Sequence, residues 1–250
     1  MRDIFANRLY RIGRGGRGLV QFTVTVKETN LLIQAEEDFT KEAIDTVLNL
    51  RGNIESYMKS RPEFASSLEP IEAYPYAPNI VKEMIEDSRL AGTGPMAAVA
   101  GAIAEFLARA LSDRGDGKRG EVIVENGGDV FMMTGGERVV GLYGSEILFG
   151  LGIKIPAADS GEMGVGISSS SALFGESLSF GRCELATAVA ERGALSDAAA
   201  TALGNMVRSE RDIEGALKEI LDIPGVTGGI VVIDGRMGIK GDIELIALSD

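Results

Sequence analysis

Residues 94–105, GPMAAVAGAIAE, decide how the rest of the chain must pack. Pro95 is suited to open a helix, because the first helical position loses no hydrogen bond when its N–H is missing. Between Pro95 and Glu105 every residue is apolar or glycine. A helix running from Pro95 to about residue 111 would therefore have no polar face to turn toward water. The stretch predicts a long helix buried at the centre of the molecule.

Short extended segments surround this helix in the sequence. Residues 19–26 alternate apolar and polar side chains and predict a strand, and residues 31–36 predict a second strand after a turn at residues 28–30. Further strands are predicted at residues 121–125, 130–134, 138–143, 147–155, 163–168 and 183–190. Most of their connections are short and rich in glycine, which favours antiparallel pairing over βαβ crossovers. The predicted fold class is α+β, with antiparallel sheets packed around a central buried helix.

The remaining helices and the chain end complete this outline. Helical periodicity predicts helices at residues 41–61, 79–89, 196–207 and 210–221. Asp234-Gly235 separates two extended segments and predicts a hairpin turn with positive φ angles. Neither a solenoid-scale repeat nor a dividing linker is visible, so residues 1–250 are predicted to form a single domain.

The net charge and the composition of the chain exclude some classes of binding partner. The formal net charge is −12, and such a field repels nucleic acid and anionic membrane surfaces. No run of about 18 apolar residues and no signal-peptide pattern is present, so we expect a cytoplasmic protein with no membrane partner. A small-molecule ligand is the expected partner. The oligomeric state stays open, a homodimer included.

The counts of histidine and cysteine limit the chemistry. The sequence contains no histidine, so a Ser-His-Asp triad, a Cys-His dyad and an imidazole metal ligand are excluded. Cys183 is the only cysteine, which excludes an intrachain disulfide. Acid–base chemistry would therefore use carboxylates, lysines, tyrosines or Cys183.

Two glycine-containing segments could contact a ligand. Gly92, Thr93 and Gly94 stand before the start of the central helix, where unpaired N–H groups attract phosphate, although the glycines could equally serve only the turn. Asn126, Gly127, Gly128 and Asp129 lie between two predicted strands. Paired glycines let the backbone approach a flat ring or a phosphate, and an ordinary glycine hairpin explains the same letters.

Three oxygen-bearing side chains are spaced so that they lie along one face of a predicted helix. Asp197, Thr201 and Asn205 are four residues apart and share one face of an alanine-rich helix. A carboxylate and a hydroxyl are ligands that Mg²⁺ accepts, so Asp197 and Thr201 are the candidate metal ligands. The alternative is that Asp197 stabilises the start of its own helix and Thr201 bonds back to the preceding turn.

A hydroxyl-rich region lies between these segments. Four serines at residues 168–171 lead into the stretch FGESLSFG at residues 174–181. Ser177 and Ser179 in that stretch are candidate ligand contacts, and a solvated loop is the equally open alternative.

Four stretches together resemble an uncharacterised prokaryotic family within the ApbE-like superfamily, whose best-known members are FAD:protein FMN transferases. They are RGNIESY at residues 51–57, GPMAAVAGAIAE at residues 94–105, ENGGD at residues 125–129 and SDAAATALGN at residues 196–205. The resemblance implies an ApbE-like fold and FAD or FMN as ligand. It also implies that Asp197 and Thr201 hold Mg²⁺ and that residues 126–129 belong to the site.

One departure from the transferases separates three functional hypotheses. The transferases carry a histidine shortly before an Asp-Pro-x-Thr-Gly stretch, and both are absent here, where residues 168–181 take that place. The leading hypothesis is a protein that binds a flavin-like or nucleotide-like molecule, with or without Mg²⁺ and with or without a reaction of its own. The second is a Mg²⁺-dependent transferase in which Asp129 replaces the histidine as base. The third is an accessory protein of anaerobic sulfur assimilation with Cys183 as a persulfide carrier. The alternative for Cys183 is that it is a small buried hydrophobic residue, as a lone cysteine in a predicted strand usually is.

Overall fold

The computed structural model describes residues 18–113, 119–157, 164–171 and 182–248. The helices are α1 (Thr40–Ser60), α2 (Pro62–Ser66), α3 (Asn79–Ala91), α4 (Val99–Ser112), α5 (Gly193–Met206) and α6 (Ile213–Leu221). The strands are β1 (Val20–Val26), β2 (Thr29–Ala35), β3 (Val122–Asn126), β4 (Asp129–Met133), β5 (Arg138–Gly141), β6 (Leu151–Ile155), β7 (Val165–Ser170), β8 (Leu185–Ala190), β9 (Val226–Ile233), β10 (Arg236–Gly241) and β11 (Glu244–Ala247).

Eight of the strands form one sheet, in the order β1-β2-β3-β4-β7-β8-β9-β10, and every neighbouring pair is antiparallel. A second sheet has the order β11-β6-β5 and is also antiparallel. The two sheets meet through apolar side chains such as Ile153 on β6 and Ile167 on β7. The predicted fold class, α+β with antiparallel sheets, is confirmed.

Helix α4 is the central element of the helical layer. It follows a 3-10 turn at Pro95–Ala98 and contacts β3, β4, α1, α3 and α5. Ala104, Leu107 and Ala108 on this helix are fully buried. Pro95–Ser112 is the one segment of the described ranges long and apolar enough to cross a membrane, but 61% of it is buried inside the protein, as in a core helix.

The large sheet contains a topological repeat that the sequence does not reveal. Its first four strands come from two hairpins, β1-β2 and β3-β4, with the helices up to α4 between them. The last four come from β7-β8 and β9-β10, with α5 and α6 between them. Both halves of the chain thus supply four adjacent strands and a helical cover, and the β4-β7 pair joins them.

Local differences from the predicted boundaries have simple causes. The first hairpin turns at Lys27 and Glu28, not at residues 28–30, and Lys27 takes the positive φ of 53° that this tight turn requires. Residues 147–150 are not part of a strand, because Glu146–Leu148 form a 3-10 turn before β6.

Candidate functional site

The crossing of α4 and α5 builds the floor of the candidate site. A Cβ placed on Gly101 would lie 2.0 Å from the Gly193 carbonyl oxygen, and one placed on Gly193 would lie 2.5 Å from the Gly101 carbonyl oxygen. Only glycine permits this approach of two backbones. The two helices therefore touch through their main chains at these two residues.

Each helix then supplies an acid that accepts hydrogen bonds from the first turn of the other. Asp197 lies four residues after Gly193, and its Oδ2 accepts the backbone N–H groups of Ala100 at 3.1 Å and Gly101 at 2.9 Å. Glu105 lies four residues after Gly101, and its Oε2 accepts the Gly193 N–H at 2.7 Å. These donors belong to helix starts, which have no partner inside their own helix. Asp197 thus caps α4 and not its own helix, contrary to the capping alternative stated above.

The glycine turn between β3 and β4 contacts the first turn of α4, beside the Asp197 carboxyl group. Asn126, the last residue of β3, donates from Nδ2 to the Ala100 carbonyl oxygen at 3.1 Å. Gly127 and Gly128 have φ angles of 70° and 112°, and a Cβ on either would have no atom within 4 Å. The turn is therefore open on its outer side. Ala100 is the common point, because its carbonyl binds Asn126 and its amide binds Asp197.

Asp129 stands opposite Asn126 at the start of β4 and is buried. The Ser168 hydroxyl and the Ser169 backbone amide donate to its carboxyl group. Burial raises the pKa of Asp129 well above its usual range, and the Asp197 carboxyl adds to the rise, while the Ser168 and Ser169 donors oppose it.

Asp197 has a similar environment. Burial raises the pKa of Asp197 to about 7, and the amides of Gly101 and Ala100 oppose this rise. For both carboxyl groups the opposing donors are uncharged. The negative charge of Asp197 therefore makes ionisation of Asp129 less favourable, and a bound cation would remove that repulsion.

Thr201 lies one helical turn after Asp197 and is partly exposed. Four-residue spacing places it on the same face of α5 as Asp197. Within the described ranges, no group of three or more histidine, cysteine, aspartate or glutamate side chains is arranged to hold a metal ion. A cation here would rest on two carboxylates, neutral oxygens and water.

The predicted phosphate contacts before α4 have roles within the fold. Gly92 ends α3 with a φ of 70°. Thr93 is buried and its amide donates to the Ser88 carbonyl at 2.8 Å. Gly94 packs on the backbone of Ser67, where a Cβ would lie 1.9 Å from the carbonyl oxygen. A ligand contact at these three residues stays a prediction, and Ser177 and Ser179 lie outside the described residues.

Sequence reasoning missed Glu105 and Ser168 as parts of this arrangement. The signal for Glu105 was present, since GAIAE at residues 101–105 and GALSD at residues 193–197 have the same glycine-to-acid spacing. Ser168 belongs to the serine run, but nothing in the run distinguishes it from Ser170.

Two features lie away from this site. Cys183 is fully buried, and burial raises the pKa of its thiol to about 11, so the structure favours the small buried hydrophobe over the persulfide carrier. A surface cavity of about 300 Å³ lies beside Met133 and Thr134, at the opposite end of β4 from Asp129.

The architecture places the protein in a known structural class. The flavin transferase ApbE from Vibrio cholerae superposes with a TM-score of 0.56 at 12% identity, over 89% of this chain and 96% of the other. An ApbE protein from Thermotoga maritima gives a TM-score of 0.54 at 14% identity, over 89% and 96%. At these identities the similarity establishes an ApbE-like fold and nothing further.

Sequence comparison gives the family. The family model described as "AbpE bacteria" matches residues 11–223. A UPF0280 protein from Methanocella arvoryzae is 36% identical over 88% of each chain, and one from Methanococcus aeolicus is 34% identical over 93% of this chain and 94% of its own. The chain belongs to this UPF0280 family of ApbE-like proteins, as the sequence resemblance predicted.

Proposed function

We propose that this protein binds a phosphorylated flavin-like or nucleotide-like molecule through a Mg²⁺ ion held by Asp129, Asp197 and Thr201. The observation that carries the proposal is the buried Asp129 carboxyl group beside the part-buried Asp197 carboxyl group, with only uncharged groups donating to either. A buried like-charged pair is costly, and a divalent cation removes that cost by its own charge.

The donor set fits Mg²⁺. This ion prefers hard oxygen ligands and usually keeps several waters, with one or two carboxylates and the phosphates of its ligand. Asp197 uses Oδ2 for the two amides of α4, which leaves lone pairs on its other oxygen. When bound, the ion would neutralise phosphate charge at a site that is otherwise acidic.

The surroundings support a ligand with phosphate and a flat ring. The outer side of Gly127 and Gly128 is free of side chains, so a ring or phosphate can approach the backbone there. ApbE proteins of the same fold are flavin transferases by name, which makes flavin nucleotides the first ligands to try. Without a histidine, we do not extend the proposal to covalent transfer of FMN.

A carboxylate base is the second candidate function. A carboxyl group with a raised pKa accepts a proton more readily than an ordinary aspartate, and the pKa of Asp129 is raised by burial and by Asp197. This observation favours Asp129 as the base if any transfer occurs. We further propose that the chain is one cytoplasmic domain, since both halves share the large sheet and a chain with a single cysteine fits a reducing compartment.

Calorimetric titration with Mg²⁺ alone tests the cation site. Wild type should bind, and Asp197→Asn should weaken binding at least about tenfold, because a carboxylate ligand is lost. Asp222→Asn removes an exposed carboxylate from the end of α6 and should match wild type. Equal curves for wild type and Asp197→Asn would remove Asp197 from the site.

A further inference from the structure

Strand β7 lies directly on the first turn of α5. A Cβ on Gly166 would be 2.6 Å from the Ser196 hydroxyl oxygen and 2.7 Å from the Arg192 carbonyl oxygen. Two residues further along the same face of β7, the fully buried Ser168 places its Oγ 2.8 Å from the Ser196 Oγ. The strand and the helix are therefore held in one register by a pair of hydroxyl groups.

The hydroxyl pair continues at both ends. Ser196 Oγ lies 2.9 Å from the Gly193 carbonyl oxygen, to which it can donate. At the other end Ser168 contacts the Asp129 carboxyl group, in the pair that follows Val130 and Ile167 in the β4-β7 ladder. A continuous path of hydrogen-bonding groups thus runs from Gly193, at the helix crossing, to Asp129.

The number of protons on the two hydroxyl groups determines which group donates in each hydrogen bond. Each hydroxyl has one proton to donate. When Asp129 is ionised, Ser168 donates to it and accepts the single proton of Ser196, so Ser196 then no longer donates to the Gly193 carbonyl. The two serines therefore have a defined direction when the carboxylate is charged, and neither can be replaced by an apolar residue without loss of a donor.

We propose that Ser168, oriented by Ser196, is a positioning residue that fixes the Asp129 carboxylate relative to α5. Because α5 also carries Asp197, the same contact fixes the spacing of the two carboxylates. The consequence for cation binding rests on the proposed function, whereas the positioning itself does not.

Ser170 supplies the matched control. It stands two residues after Ser168 on the same face of β7 and is also buried, but its hydroxyl has no hydrogen-bond partner among the described residues. Ser168→Ala and Ser170→Ala delete the same atom from the same strand face. A purely local effect of removing a buried hydroxyl would be similar in both, while a positioning effect on Asp129 belongs to Ser168 alone.

A double-mutant cycle without any ligand tests the positioning. Urea unfolding of Ser168→Ala, Asp129→Ala and the double variant should give a coupling of about tenfold in the unfolding equilibrium constant, because the double variant loses the Ser168–Asp129 hydrogen bond only once. The same cycle with Ser170→Ala should give at most about twofold. Ser196→Ala should couple to Ser168→Ala in the same sense. If Asp129→Ala does not fold, Asp129→Val replaces it, because valine also has no acceptor for the Ser168 hydroxyl.

Absence of coupling between Ser168 and Asp129, or equal coupling for Ser170, would overturn the proposal whatever the protein binds. A titration with Mg²⁺ alone forms the second arm. Ser168→Ala should weaken binding about tenfold and Ser170→Ala at most about twofold, and Ser168→Cys, which keeps a weak donor, should lie between wild type and Ser168→Ala. Coupling with no Mg²⁺ binding in wild type would support the positioning and reject the proposed function. Binding that Ser168→Ala leaves unchanged would reject the positioning.

Discussion

Gly101→Ala should force α4 and α5 apart. The new methyl group would meet the Gly193 carbonyl oxygen at 2.0 Å and the Asp197 Cβ at 2.8 Å, distances that no side-chain rotation can relieve. Overpacking of this kind costs about 1–3 kcal/mol, and any parting of the helices lengthens the hydrogen bonds to Asp197, each worth about 1.5–3 kcal/mol. The higher helix propensity of alanine offsets about 1 kcal/mol of this loss in stability. We expect a net loss of about 2–4 kcal/mol in the free energy of unfolding.

The assay is equilibrium urea unfolding, with Gly52→Ala as the matched control. Gly52 is exposed in the middle of α1, and a Cβ there has no atom within 4 Å, so this variant should be stabilised by up to about 1 kcal/mol. Both variants make the same chemical change in a helix, and only the contact with Gly193 differs. If Gly101→Ala were as stable as wild type or gained stability as Gly52→Ala does, the close crossing of α4 and α5 would be wrong.

Three further predictions concern pH, transfer and the thiol. The pKa of Glu83 is raised to about 7 by burial, with Glu105 and Asp87 adding to the rise, so the folded protein holds a proton that the unfolded chain loses near pH 4.5. The free energy of unfolding should therefore fall by about 1–2 kcal/mol as pH rises from about 4.5 to about 7, after allowance for the partial exposure of Glu83. Thermal unfolding at several pH values should show that Glu83→Gln lacks this decrease and that Glu86→Gln keeps it. Transfer of FMN from FAD to a threonine-containing acceptor should be negligible, and robust Mg²⁺-dependent labelling seen by mass spectrometry would contradict this. Alkylation of the buried Cys183 by iodoacetamide should be slow in the folded protein and rapid in urea, and equal rates would place the thiol at the surface.

The sequence predicted the elements whose cause is local. The apolar run after Pro95 could only be a core helix, and α4 is one. Asp234 and Gly235 form the predicted turn, with φ angles of 49° and 70°. These features follow from residues within a few positions of each other, so one sequence contains all the information they need.

The contacts within the candidate site join residues that are far apart in the chain. The sequence patterns did not predict these contacts, because each pattern covers only a few neighbouring residues. Spacing and resemblance selected Asn126 and Asp197, which the fold brings together on Ala100 through contacts 26 and 97 residues apart in sequence. No local pattern shows that Asp197 caps another helix. Ser168 and Ser170 are likewise equivalent in the sequence, and only the position of α5 gives Ser168 a partner and leaves Ser170 without one among the described residues.

Binding of FAD with and without Mg²⁺ bears most directly on the proposed site. Flavin fluorescence during titration of the purified protein measures it, with Thr201→Val added because this change removes a proposed ligand without touching the amides of α4. We expect FAD to bind wild type in Mg²⁺ and to bind at least about tenfold more weakly in EDTA, since the Asp129 and Asp197 carboxyl groups repel phosphate unless a cation lies between them. Thr201→Val should weaken the Mg²⁺-dependent part and leave the free energy of unfolding within about 0.5 kcal/mol of wild type. FAD binding of equal strength in Mg²⁺ and in EDTA, or no binding in either, would contradict the proposed cation-assisted site.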